Sequence, residues 1–135
     1  MAYLSKGEKY TQIKLLVNLA KEDGVVHIAE LSYITCLGKR LELTVPEMHK
    51  IAEDEEIRLD FPLMESQRLE HFHQLLNLVY VDAIVNHEEL EYLREVGHLM
   101  SMNEAGVNRV IEKATQTSPR MIGKSEFVSI YRQIS

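Results

Sequence analysis

The chain has 135 residues, of which 45% are apolar and 27% charged, a composition typical of one globular domain whose core needs neither metals nor disulfides. Its single cysteine, Cys36, excludes an intramolecular disulfide and indicates a reducing compartment, and its short apolar runs exclude integral membrane insertion. The net charge of −6 argues against binding to nucleic acid or anionic lipid, so we expect a single cytoplasmic domain over residues 1–135.

Three helices are predicted in the first part of the chain. The first begins at Ser5, which has a glutamate three residues later as in a capping box, and it ends at Gly24. The second runs over about 28–41, and the third begins at Thr44, which starts another capping box. The apolar positions of the first two helices recur at three- and four-residue steps and comprise Ile13, Leu16, Val17, Ala20, Leu31, Ile34, Leu37, Gly38 and Leu41.

The segment 54–64 breaks this helical pattern. It lies within an acidic region, residues 42–70, whose nine acids and three bases give a charge of −6, numerically the whole net charge of the chain. A segment of this kind is typical of an exposed linker between two halves, and the alternative is a surface for a basic partner.

Helical periodicity returns after Ser66 and continues to the end of the chain. Further helices are predicted over about 66–80, over 87–100, after Asn103, and as a last short helix over about 125–134. From residue 106 onward there are five bases and two acids, so this C-terminal segment is the basic part of the chain. The sequence therefore predicts an all-α fold of about seven helices.

An internal duplication is the strongest signal in the sequence. A shift of 59 residues aligns 16–51 with 75–110 without a gap and gives nine identities in 36 positions. Nine of the remaining 27 pairs match an apolar residue with an apolar residue, a coincidence that helical periodicity alone rarely produces. We therefore predict two pseudo-symmetric three-helix units, over about 5–53 and 66–114, followed by the C-terminal helix.

Each predicted unit carries an acid-bearing turn between its first and second helices. The first turn contains Asp23, Gly24, Val26 and Glu30. The second retains the two acids and the valine, as Asp82, Val85 and Glu89, but has Ala83 in place of the glycine. An Asp-Gly turn followed by an apolar residue and by a glutamate seven positions after the aspartate, repeated in a small acidic helical chain, resembles the TerB-like (tellurite-resistance protein B) family.

The resemblance covers about residues 10–112. It implies a seven-helix fold with pseudo-symmetry and a non-enzymatic role in stress response or tellurite resistance, or as a regulatory module. It also implies that the acids of the two motifs can bind a metal ion. The departure at Ala83 weakens the match of the second turn.

The four acids have two interpretations. In the first, Glu30 and Glu89 complete helix caps while Asp23 and Asp82 bind free backbone N–H groups of the turns. In the second, the two units bring all four carboxylates together, and a divalent metal ion offsets their repulsion. A hydrolase that uses the same acids is a third alternative, although the sequence carries no phosphate-binding glycine loop and no nucleophile motif.

Two groups of histidines have a plain structural explanation. His87 and His98 share one stripe of a predicted helix with Glu91 and Glu95, and this stripe is typical of a solvated polar face. His73 lies at the edge of an apolar face and is predicted to pack there rather than to bind a metal. The sequence therefore gives no specific transition-metal site.

The function favoured by these observations is binding to a protein partner without catalysis. The contact surface is predicted to be a hydrophobic groove at the acidic turns or the basic segment around Arg120 and Lys124. The alternative function is that of a metal-binding sensor that uses Asp23, Glu30, Asp82 and Glu89. The identity of the partner and the oligomeric state do not follow from the sequence.

Overall fold

The computed structural model describes residues 4–22, 28–56, 58–81 and 85–133. Over these residues the chain forms seven α-helices and no β-strand. The helices are α1 (Lys6–Ala20), α2 (Ile28–Arg40), α3 (Val45–Glu53), α4 (Glu65–Tyr80), α5 (His87–Leu99), α6 (Glu104–Thr117) and α7 (Lys124–Tyr131). The predicted all-α fold of about seven helices is confirmed.

Helices α1 and α3 begin at the predicted capping boxes. The Ser5 hydroxyl accepts a hydrogen bond from the backbone N–H of Glu8 at 3.1 Å, and the Glu8 carboxylate accepts from the Ser5 N–H at 3.2 Å. Thr44 and Glu47 form the same reciprocal pair at the start of α3. Each box satisfies backbone donors that the first turn of a helix would otherwise leave unpaired.

Helices α2 and α5 end with the same backbone geometry, 59 residues apart. Glu42 (φ 63°) and Ser101 (φ 58°) both adopt the left-handed conformation just after the helix. In each case the next residue donates its backbone N–H to a glycine carbonyl five residues earlier, at 3.0 Å for Gly38 and 2.9 Å for Gly97. This is the hydrogen bond of a Schellman motif, which reverses the chain into the following helix.

The same two glycines allow close packing of α2 against α3 and of α5 against α6. A Cβ atom at Gly38 would overlap the Met48 sulfur of α3, and a Cβ atom at Gly97 would lie 3.0 Å from a methyl group of Val107 on α6. Met48 and Val107 are also 59 residues apart. The duplication seen in the sequence therefore coincides with repeated helix ends and repeated close contacts.

The core is continuous and lies around α1 and α4. Helix α1 packs against α2, α3, α4 and α5, while α4 packs against α1, α5, α6 and α7. Helix α7 adds Phe127, whose ring stacks on Phe72 with 6.1 Å between centroids. The side chains shielded from solvent almost completely include Ile13, Leu15, Leu16, Leu19, Ile51, Phe72, Leu75, Leu76, Leu78, Leu93, Met100 and Phe127.

Leu31 does not lie on the buried face predicted for α2. Ile34 and Leu37 are buried as expected, but Leu31 is 57% exposed. Leu31 lies in the first turn of α2, and the neighbouring helices cover only the middle and the end of the α2 apolar face. Periodicity identifies the apolar stripe of a helix but not how much of that stripe another element covers.

The predicted acidic linker is largely exposed, but a hydrogen bond connects it to α1. The backbone N–H of Asp60 donates to the Thr11 hydroxyl at 2.6 Å, and Pro62 is buried.

The last helix, α7, begins one residue earlier than predicted and ends at Tyr131, while Ile134 lies outside the described residues. Among the described residues, no helix combines the length and the apolar character needed to cross a bilayer.

Candidate functional site

The structure describes two of the four acids in the predicted site. Asp23 and Asp82 lie outside the described residues. Glu30 and Glu89 are the third residues of α2 and α5, and only 2% and 4% of their surfaces are exposed. The Glu89 backbone N–H donates to the Asn86 side chain at 2.9 Å, so the predicted cap of α5 is confirmed.

Glu30 and Glu89 are the only fully buried acids in the part of the chain that the structure describes. Carboxylates are rarely buried unless partners compensate the loss of water, and both residues have such interactions. Over the same residues, no group of three or more histidine, cysteine, aspartate or glutamate side chains is placed to hold a metal ion. The convergence of all four acids stays a prediction, because Asp23 and Asp82 lie outside the described residues.

Two tyrosine–asparagine pairs link the helices that carry these acids to the central helices. Tyr33 on α2 interacts with the Asn77 side chain of α4 and donates its hydroxyl to the Gln74 carbonyl at 3.1 Å, and Tyr92 on α5 interacts with the Asn18 side chain of α1. Burial raises the pKa of each tyrosine to about 12, and the asparagine hydrogen bond opposes that shift. Both pairs are related by the 59-residue shift. Each half of the chain therefore contributes the tyrosine to one pair and the asparagine to the other.

The surface of α2 that faces solvent is uncharged over 28–38. Ile28 is 84% exposed, and Leu31 lies one turn further along the helix. The remaining exposed residues of this stretch are Ala29, Ser32 and the free Cys36. We call this surface, formed by Ile28, Ala29, Leu31, Ser32 and Cys36, the α2 outer face.

The corresponding surface of α5 has the opposite character. Over the corresponding stretch, 87–97, its exposed residues are His87, Glu88, Glu91, Arg94 and Glu95, and we call this set the α5 outer face. Beyond it His98 and Leu99 are exposed on α5, as Lys39 and Arg40 are on α2. His87 and Glu91 lie 2.8 Å apart, and Arg94 donates to the Asn108 side chain at 3.2 Å. The predicted solvated polar stripe of histidines and glutamates is confirmed.

The basic C-terminal segment is engaged in ion pairs. Both terminal nitrogens of Arg120 contact the Glu126 carboxylate, at 3.1 and 3.3 Å. Lys124 lies 3.5 Å from Glu70 on α4. The positive charges of this segment are thus partly neutralised by neighbouring acids, and Arg120 and Lys124 offer less free charge to a partner than the sequence suggests.

His73 packs as predicted, whereas the environment of His71 was not anticipated. The His73 ring lies 5.1 Å from the Phe127 ring, and its Nε2 is 2.7 Å from the Ile122 carbonyl oxygen. His71 is 3% exposed, and neither of its ring nitrogens has a hydrogen-bond partner among the described residues. The sequence offers one signal for the burial of His71. It lies one helical turn before Leu75, so the two residues share a face of α4.

Comparison with known proteins gives no match to a family model, to a curated protein or to a solved structure. The resemblance to the TerB-like family thus rests on the residues of the two turns, above all Asp23, Gly24, Val26 and Glu30. A function for this chain is therefore argued from its own surfaces.

Proposed function

We propose that this chain is a non-enzymatic, TerB-like module of the cytoplasm that acts in stress response or regulation by binding another protein. Its contact surface is the α2 outer face, which directly follows the first acidic turn in the sequence. The observation that carries the proposal is the exposure of Ile28 and Leu31 within a helical surface that has no charged side chain.

An uncharged and partly apolar helix face is costly to leave in water and suits the centre of an interface. Large apolar side chains gain about 25 cal/mol for each Å² removed from water, and interface centres are depleted of charge. Folding does not require such a surface, because the residues of α5 that correspond to Ile28, Ala29, Ser32 and Cys36 are His87, Glu88, Glu91 and Glu95. Only Leu31 has an apolar counterpart, the half-buried Leu90. The partner should therefore present an apolar patch to Ile28 and Leu31.

We also propose that the two predicted units are related by an approximate twofold axis. The proposal is supported by helix starts, left-handed residues and glycine contacts that recur 59 residues apart, and by the reciprocal tyrosine–asparagine pairs. A crystal structure tests it, because α2 and α3 should superimpose on α5 and α6 in that register. Superposition in a different register would contradict the proposal.

A pair of matched substitutions tests the contact surface. Ile28→Lys adds a charge to the α2 outer face, and His87→Lys adds the same residue at the corresponding position of α5. Both positions are the first residue of a helix and exposed, so the two variants should be equally stable. Proteins captured by the tagged chain from its host would be identified by mass spectrometry, and the binding of the purified candidate would be measured by calorimetry.

The expected result is that Ile28→Lys raises the dissociation constant at least about tenfold, since a charge replaces a central apolar contact. His87→Lys should leave the constant within about twofold, because rim and remote charges have small effects. Equal binding by both variants would show that the α2 outer face is not the contact surface.

The second candidate function is that of a divalent-metal sensor. It is supported by the two buried carboxylates, Glu30 and Glu89, at corresponding positions of α2 and α5. Together with Asp23 and Asp82 they would supply the oxygen ligands that Ca²⁺, Mg²⁺ or Mn²⁺ prefer.

Thermal melting with Ca²⁺, Mg²⁺, Mn²⁺ or Zn²⁺ tests the metal proposal. A cation that binds the folded state should raise the melting temperature with saturation, and Asp23→Asn or Asp82→Asn should abolish the rise. Glu91→Gln, on the exposed α5 outer face, is the control that should retain it. The proposal fails when no cation shifts the melting temperature, or when the aspartate variants respond like the wild type.

A further inference from the structure

A cavity of about 660 Å³ opens between α1, α2, α4 and α7, on residues that the proposed function does not use. Its volume is within the range of about 300–1,000 Å³ that is usual for small-molecule sites. The apolar part of its wall comprises Leu4, Leu41, Leu69, Phe127 and Val128. The cavity can therefore cover an apolar chain or ring.

The wall also contains a polar group that lacks a partner. His71 lines the cavity, and both of its ring nitrogens are buried without a hydrogen bond to any described residue. Gln74, also in the wall, accepts a hydrogen bond from the Gln12 amide, while the Gln12 oxygen is buried without a partner. Native proteins seldom leave buried polar atoms unpaired, so this cluster indicates a missing partner.

Basic side chains dominate the charged part of the wall. Lys9, Arg40, Lys124 and Arg132 line the cavity, together with the acids Glu42 and Glu70.

Two of the four cations are already paired. Lys124 lies 3.5 Å from Glu70, and Arg132 lies 2.7 Å from Glu65. Lys9 and Arg40 form no ion pair with the described residues. On the side formed by α1 and α2 the two cations Lys9 and Arg40 outnumber the one acid, Glu42, so this side of the wall keeps a net positive charge.

We propose that this cavity binds an amphiphilic organic anion, an apolar chain or ring that ends in a carboxylate or another small oxyanion. The oxyanion would pair with Lys9 and Arg40, because ionised donors form the stronger hydrogen bonds. The apolar body would lie against Leu41 and Phe127 and leave water. Both nitrogens of His71 are shielded from solvent, so its ring would have to turn toward the cavity for a polar atom of the ligand to bond to it.

Calorimetric titration of the full chain tests the proposal with four probes. Octanoate and octyl phosphate each combine an apolar chain with an oxyanion, whereas 1-octanol has only the chain and acetate only the charge. We expect one saturable site per chain for octanoate, octyl phosphate or both, and the preferred headgroup identifies the oxyanion. 1-Octanol and acetate should bind at least about tenfold more weakly, since each lacks one of the two contacts.

Substitutions then locate the site. Arg40→Glu should weaken the binding of the preferred probe at least about tenfold. Lys39→Glu makes the same charge change at the neighbouring residue, which is exposed and does not line the cavity, so binding should stay within about twofold. His71→Leu should raise the melting temperature of the ligand-free protein, because it removes two unpaired nitrogens, and should reduce the further rise that the probe produces.

Nuclear magnetic resonance supplies a readout that does not depend on any variant. The ring resonances of His71 should shift when the preferred probe is added, whereas those of the exposed His49 should not. The proposal is overturned if neither octanoate nor octyl phosphate shows saturable binding. It is equally overturned if binding is unchanged in Arg40→Glu and the His71 resonances do not move. Neither outcome bears on the α2 outer face, which does not line the cavity.

Discussion

Helices α2 and α5 correspond to each other in the sequence repeat but present opposite surfaces to solvent. Their buried positions are similar, with Ile34 and Leu37 in α2 matching Leu93 and Val96 in α5. Their outer faces share no such likeness, because the α2 outer face has no charged side chain over 28–38 and the α5 outer face has five ionisable side chains over 87–97. Packing therefore determines the residues on the inner faces of both helices but not those on the outer faces. For α2 we propose that binding to a partner determines the outer face.

The two predicted units also differ in the helices that pack on them. Helix α7 packs on α4 and α6 of the second unit, where Phe127 stacks on Phe72. The residue of the first unit that corresponds to Phe72 is Ile13, which is equally buried in α1. The added helix thus makes the second unit the more aromatic side of the core.

The largest expected change in stability concerns the contrast between Phe72 and Ile13. Phe72→Ala should lower the free energy of unfolding by about 3–5 kcal/mol, and Ile13→Ala by about 2–5 kcal/mol, because both substitutions leave cavities. Double-mutant cycles with Phe127→Ala, followed by urea denaturation, separate the two positions. The coupling of Phe72 with Phe127 should be about 0.5–1.5 kcal/mol, and that of Ile13 should be smaller. Equal couplings would remove the distinction between the units.

Gln12 and His71 are also related by the 59-residue shift, and the histidine should make the stability of the protein depend on pH. Burial lowers the pKa of His71 from 6.5 to about 4, although Glu70 and Glu8 oppose that shift. Between pH 6.5 and 4 the unfolded chain therefore binds a proton at His71 that the folded chain does not bind. Stability should fall as the pH is lowered through this window, by up to about 3 kcal/mol from this group.

His71→Gln, which makes the two corresponding residues identical, should remove that contribution. The measurement is the difference in unfolding free energy between variant and wild type at several pH values, because the carboxylates then contribute equally to both proteins. The difference should change in favour of the variant as the pH falls from 6.5 to 4. A constant difference would show that His71 is not buried in its neutral form.

A smaller effect tests whether the two units use corresponding helix caps. The Thr44 hydroxyl accepts from the Glu47 N–H at 3.2 Å, and the Asn103 side chain accepts from the Gly106 N–H at 2.8 Å. Thr44→Ala and Asn103→Ala should each cost about 1 kcal/mol in chemical denaturation. Ser129→Ala, at an exposed position within α7, is the control and should change stability by less than about 0.5 kcal/mol.

The smallest expected effect concerns the two left-handed residues. Glu42→Gly and Ser101→Gly should each raise the unfolding free energy by about 0.5 kcal/mol, because glycine adopts this conformation without steric cost. Lys39→Gly, inside α2, should instead lower it by about 1 kcal/mol. Opposite signs at residues 42 and 101 would contradict the correspondence of the two helix ends.

Much of the fold could be predicted from the sequence because its signals are local. Ser5 and Thr44 mark helix starts by their own side chains, and the 59-residue repeat is visible without knowledge of packing. The exposure of Leu31 and the burial of His71 could not be predicted in this way. Both depend on which faces of α2 and α4 are covered by other helices, and helical periodicity does not contain that information.

The same difference between local and tertiary features applies to the candidate site. The capping role of Glu89 follows from Asn86 three residues before it, and the structure confirms it. The convergence of Asp23, Glu30, Asp82 and Glu89 is a tertiary property that no local pattern specifies, and it stays a prediction. The cavity beside His71 is also tertiary, since residues from four helices form its wall.

The most direct test of the central claim is photo-crosslinking in the host cell. A photoreactive amino acid would be placed at position 28 of the α2 outer face and, in a second variant, at position 87 of the α5 outer face. We predict a discrete crosslinked product with one partner protein from position 28 and none from position 87. A product from position 87 alone, or the same product from both positions, would contradict the assignment of the α2 outer face as the binding surface.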